Sequence, residues 1–76
     1  MSEPVIQHWD KVMHKNVRSR DGIDVGNIIS EAGDNFTIMQ GASREYNLPK
    51  SCVEGFDGGE VFLNITYSEL MKYKLQ

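Results

Sequence analysis

Two histidines, one cysteine and a scatter of carboxylates are the residues of this 76-residue chain that could do chemistry. His8 and His14 stand six residues apart, an interval that brings side chains together on neither a helix nor a strand. Structural zinc takes four ligands of Cys or His type, and the chain holds three such residues. Cys52 as a nucleophile would need His8 or His14 as its base, and no flanking signature supports that pairing. Before Val53 in a β-like stretch, Cys52 reads instead as a small buried apolar side chain. Asp21, Asp24 and Glu31 miss the alternate oxygens, sixth-position glycine and twelfth-position glutamate of a calcium loop. Gly55-Phe56-Asp57-Gly58-Gly59 precedes a strand pattern, whereas a phosphate-cradling loop opens a helix. These residue types assign no catalytic group, metal or cofactor, and the expectation is a protein that is not an enzyme.

The aromatic residues are more informative. Trp9, Phe36, Tyr46, Phe56, Phe62, Tyr67 and Tyr73 are a generous set for so short a chain, and most belong in a core. Val61, Leu63 and Ile65 alternate toward one face, which sends Phe62 to the other. Exposed aromatics commonly anchor interfaces, so Phe62, with Phe56 and Tyr73 where exposed, forms the candidate partner-binding set; burial in a second layer under the terminal helix is the alternative. A domain near this size buries only ~60% of the surface its unfolded chain exposes, so it cannot hide every apolar group. A protein partner or a second copy (a homodimer) is the expected cover.

Charge narrows the partner. The formal net charge is −3, against what a general nucleic-acid binder needs. The distribution is uneven: residues 1–20 hold Lys11, Lys15, Arg18 and Arg20 against Glu3 and Asp10, while the acids dominate the rest. Those four cations are the candidate RNA-binding set if they share one face. A lone cysteine points to a reducing, cytoplasmic compartment, and no stretch approaches the ~20 apolar residues of a membrane span.

The elements that position these groups read as β structure in one domain. Pro4 marks a leader over residues 1–8. Val5, Ile6, Trp9, Val12 and Met13 fall at helical spacing, a turn that would lay Trp9 on the core; a strand at Val5 and Ile6 is the alternative. Asp21-Gly22 predicts a tight hairpin with both central residues at positive φ. Gly26, inside the returning strand, predicts a bulge or a close backbone approach. Gly33-Asp34-Asn35, Gly41-Ala42-Ser43 and Asp57-Gly58-Gly59 punctuate further strands at Phe36, Ile38 and Gln40, at Tyr46 and Leu48, and at Val61, Leu63 and Ile65. Thr66-Tyr67-Ser68-Glu69 reads as a capping box that opens a helix of two to three turns over residues 66–75, with Leu70 and Met71 on the sheet. The predicted fold is mainly β: about six short antiparallel strands in a small barrel over residues 9–66, closed by a C-terminal helix.

The run Val17-Arg18-Ser19-Arg20-Asp21-Gly22-Ile23-Asp24-Val25-Gly26-Asn27-Ile28 resembles the opening of PRC-barrel domains. Tyr46-Asn47-Leu48-Pro49-Lys50-Ser51-Cys52-Val53 and Gly55-Phe56-Asp57-Gly58-Gly59-Glu60-Val61-Phe62-Leu63 resemble later parts of the same family, in the same order. The resemblance implies a PRC-type barrel and a binding role. The family includes a photosynthetic reaction-centre subunit, the ribosome maturation factor RimM, and stand-alone archaeal proteins, some similar to adaptors of the cell-division machinery. Without a membrane helix or a second domain, this chain is most similar to the stand-alone group. The implied function is a protein-interaction adaptor, with a ribosome-assembly or RNA-processing accessory like the RimM barrel as the alternative.

Overall fold

A computed structural model of the chain describes residues 8–75. Val5 and Ile6, and with them the choice between turn and strand in the leader, lie outside those residues. The described chain opens with a 3-10 turn at Trp9–Val12. It continues through β1 (Asn16–Arg18), β2 (Asp24–Ala32), β3 (Asn35–Gln40) and β4 (Arg44–Pro49). A 3-10 turn at Lys50–Cys52 leads into β5 (Val53–Asp57) and β6 (Glu60–Leu63). Helix α1 (Tyr67–Leu70) and a 3-10 turn at Met71–Tyr73 end the chain, so the fold is mainly β.

Period-2 alternation puts Phe36 and Ile38, Tyr46 and Leu48, and Val61 and Leu63 on one face of the sheet, and all six are buried. With Trp9, Val12, Val17, Val25, Ile28 and Leu70 they form one core. Trp9 tilts against Phe36 with ring centroids 4.9 Å apart. The Lys50 ammonium lies 4.9 Å from the Trp9 ring and 2.6 Å from a Glu31 carboxylate oxygen, so one cation closes the core at this corner.

The six strands form one sheet in the order β4-β3-β2-β1-β6-β5. Four of the five pairings are antiparallel, but β1 and β6 run parallel, against the all-antiparallel expectation. β6 comes to β1 only after a crossover through the four intervening strands, and local alternation carries no information about which edges meet. Among the described residues the hydrogen-bonded ladder does not close into a barrel: β4 and β5 are its two ends. Register shifts at Val17/Arg18, Ile28/Ser30 and Val53/Gly55 bend the sheet around its core instead. Gly26 lies at the first of these with φ 108°, and a Cβ there would stand 2.1 Å from the Met39 carbonyl oxygen. The expected close backbone approach is therefore real.

Two local expectations need correction. Only Gly22 of the Asp21-Gly22 pair has positive φ (84°), so the turn is a five-residue loop over residues 19–23 and not a two-residue hairpin. The Asp21 carboxylate accepts instead from the Ser19 hydroxyl and from the Tyr67 backbone N–H. At the C-terminus the capping box forms as expected: Thr66 Oγ1 accepts from the Glu69 N–H at 3.2 Å, and a Glu69 carboxylate oxygen accepts from the Thr66 N–H at 2.8 Å. The helix nevertheless stops after one turn. The following chain straightens to pair with β4, where Leu75 donates its N–H to the Glu45 carbonyl at 2.8 Å and Lys74 bridges Tyr46. Leu70 is buried as expected, whereas this early switch leaves Met71 exposed.

Gly26→Ala tests the close approach. Strain at positive φ alone is worth about 1–3 kcal/mol, and the clash with Met39 adds to it. The urea midpoint of Gly26→Ala should fall by at least that equivalent, while Gly33→Ala, with open space at its Cβ position, should show the backbone strain alone.

Candidate binding groove

Parallel pairing sets Arg18 beside Phe62 and Val17 beside Val61. Val61 and Leu63 point into the core, so Phe62 faces outward, half-buried, as the alternation requires. Across the β5–β6 ladder its partner is Gly55. Apart from the chain neighbours of Gly55, no atom lies within 4 Å of where a Gly55 Cβ would stand, so the position across from Phe62 is open. Glu54, exposed, occupies the bulge just before Gly55. From the other side, β1 runs on into Ser19 and Arg20, and the Arg20 N–H donates to the Ile65 carbonyl at 2.7 Å, fixing this loop against the chain beyond β6. Ser19, Arg20, Glu54, Gly55, Phe62 and Leu63 line an open groove of about 330 Å³. Its lining combines the apolar side chains of Phe62 and Leu63 with one guanidinium and one carboxylate.

Arg18 is not part of that rim chemistry. Its Nε donates to a Glu60 carboxylate oxygen at 2.8 Å and Nη1 to the Gly22 carbonyl at 3.0 Å, while Asn16 Nδ2 donates to the same Glu60 oxygen at 3.2 Å. Arg20 and Glu54 form no ion pair among the described residues.

The loop behind the groove is pinned by two carboxylates. The Ser19 hydroxyl, and behind it the backbone N–H groups of Asp21 and Tyr67, hold the Asp21 carboxyl below its ordinary range. The Thr66 backbone N–H, followed by its hydroxyl, does the same for Glu69. Both bonds tie the N-terminus of α1, Asp21 from outside and Glu69 from within. Burial pushes the Cys52 thiol up, partly offset by a side-chain hydrogen bond from Tyr73.

The sequence-derived candidates fall in several places. Phe62 and Arg20, taken from the protein-binding and RNA-binding sets respectively, share the groove. Phe56 is 41% exposed on β5, but it pairs with Val61 and not with Phe62, so the two rings project from opposite faces of the hairpin. Tyr73 is half-buried against the core. Lys11 is exposed on the first 3-10 turn and Lys15 is half-buried just before β1. His8 and His14 are exposed; His14 has φ 66° and donates its N–H to the Ile28 carbonyl at 2.7 Å, a backbone role. Among the described residues, no three His, Cys, Asp or Glu side chains converge as metal ligands. Sequence reasoning missed Glu54 and Gly55, because only Val53 and Phe56 read as leading into the Asp57-Gly58-Gly59 turn, and Ser19, because the pairing of β1 with β6 is non-local. The available signal was Gly55 itself, a glycine in an alternating stretch.

Comparison with protein-family models, curated proteins and solved structures matches nothing to the chain. Among the described residues, no helix is long and apolar enough to cross a membrane.

Because Asp21 and Glu69 titrate lower in the folded chain than in the unfolded one, their contribution is complete above the unfolded-state value and is lost as pH falls through the folded one. The urea midpoint should decline as pH is lowered from about 5 to about 3, and the Asp21→Asn/Glu69→Gln double variant should show a shallower decline. Equal slopes in the two proteins would remove these carboxyls as anchors of α1.

Proposed function

We propose that the protein is a non-enzymatic interaction module of PRC-barrel type, an adaptor that holds a partner protein at the Phe62 groove. The observation that carries this reading is the half-exposed Phe62 ring across from the open position at Gly55. An aromatic anchor in one lining with Leu63, Arg20 and Glu54 has the anatomy of a small interface: a ring to desolvate and polar groups to orient what covers it. The cytoplasmic adaptor role in archaeal cell division rests on the motifs from Val17 to Ile28, from Tyr46 to Val53 and from Gly55 to Leu63. The RNA-accessory alternative has less behind it. Arg18 is committed to Glu60, and Arg20 shares its groove with Glu54, so two of the four candidate cations stand beside a carboxylate that phosphates would meet.

Phe62→Ala tests the reading. Removing an anchor ring should weaken association by about 1–3 kcal/mol, with the circular dichroism spectrum unchanged. Affinity capture from the native host, quantified by mass spectrometry for wild type and Phe62→Ala, should show a set of proteins depleted in the variant. Identical sets would refute the groove as the binding surface.

A further inference from the structure

The two ends of the sheet differ. The outer edge of β4 is occupied by the C-terminal segment through the Leu75–Glu45 hydrogen bond and the Lys74–Tyr46 bridge. The outer edge of β5 pairs with no strand among the described residues, and Glu54, Phe56 and Asp57 along it are all exposed. An uncovered edge is a template for one more strand, since every second residue of an edge strand turns its N–H and C=O outward. The bulge at Glu54 confines regular pairing to residues 55–57, so the backbone ladder alone is too short to select a partner.

Charge supplies the selection. Residues 51–71 contain Glu54, Asp57, Glu60 and Glu69 and no Lys or Arg. Glu60 is matched by Arg18, and Glu69 is engaged in the capping box. Glu54 and Asp57 have no ion pair among the described residues; along the edge they stand before and after the exposed Phe56, with Asp57 on the opposite face, across from Glu60. A second copy of β5 would gather four carboxylates around one short ladder, and like charges across a ladder are destabilising. A nucleic acid would meet the same repulsion. An extended segment carrying Lys or Arg around an apolar residue meets none of it.

We infer that the outer edge of β5 accepts an extended, lysine- or arginine-rich peptide segment of another protein as a seventh strand, its apolar residue on Phe56 and its cations on Glu54 and Asp57. This rests on reading the molecule as a protein-binding module and specifies the chemistry of what it binds. The added backbone bonds give affinity, and the two carboxylates set the sign of the partner.

The test uses the full chain and a fluorescein-labelled nine-residue peptide of alternating Lys and Val with a central Phe, followed by anisotropy. A Glu-for-Lys peptide, and two versions N-methylated at either alternate set of amides, complete the series. The basic peptide should bind, and the Glu version should not. One N-methylated version should retain binding while the other loses about tenfold or more, the equivalent of one or two backbone hydrogen bonds. Amide exchange at residues 55–57 should slow on binding, and Glu54→Lys/Asp57→Lys, checked for unchanged thermal unfolding, should lose the basic peptide. No binding of the basic peptide, or equal binding of both N-methylated versions, overturns the inference. So does exchange protection of residues 55–57 that grows with protein concentration alone, which would mark self-pairing. Should those results coincide with proteins captured in a Phe62-dependent manner, strand addition falls and the groove reading stands.

Discussion

Three residue pairs hold this molecule together as one sheet: Asn16, Val17 and Arg18 alongside Glu60, Val61 and Phe62. On one side of that seam lies the meander of β1 to β4, and on the other the β5–β6 hairpin, and among the described residues no other ladder joins the two halves. A two-stranded hairpin is marginal alone in water, so the second half depends on this contact for its order. At its centre Val17 and Val61 are fully buried, and the apolar contact supplies the stabilisation. At its ends the Glu60 carboxylate collects Asn16 and Arg18. The Arg18–Glu60 pair is more than a third exposed, so its contribution to stability is small and its main effect is to fix which residues meet. The groove is a product of that register, because the step after Arg18 brings Ser19 and Arg20 to the ring of Phe62.

Most of the local structure was legible in the residues. The turns at Gly33, Gly41 and Gly58, all at positive φ, stand where the glycines punctuate the alternation. The Thr66–Glu69 box formed because both its bonds are local, and Gly26 marked a backbone approach that no side chain tolerates. What escaped was non-local. Alternation around Val17 and Val61 shows that both are buried, but not that they are neighbours or that their strands run the same way. Helical spacing through Leu70 and Met71 could not reveal that β4 would draw Leu75 into a hydrogen bond and end the helix early.

The candidate site was half legible for the same reason. Outward projection of Phe62 follows from period 2 alone. The open space beside it required knowing that Gly55 lies directly across the ladder, which depends on the Gly58-Gly59 turn pairing Asp57 with Glu60. Regular pairing back from the Gly58-Gly59 turn sets Phe56 across from Val61 and Gly55 across from Phe62, so the hairpin presents different chemistry on its two sides: a ring beside Arg20 on one, the exposed Phe56 ring on the other.

Covering one end of the sheet with the C-terminal segment has a consequence for valence. Sheets with two available ends can stack molecule upon molecule without limit, each new arrival presenting the same end as the last. Among the described residues this molecule keeps a single end, because Leu75 and Lys74 already occupy the other. If a strand joins at β5, the stretch of β4 at Glu45 and Tyr46 offers it no second acceptor, and the molecule acts there as a chain terminator.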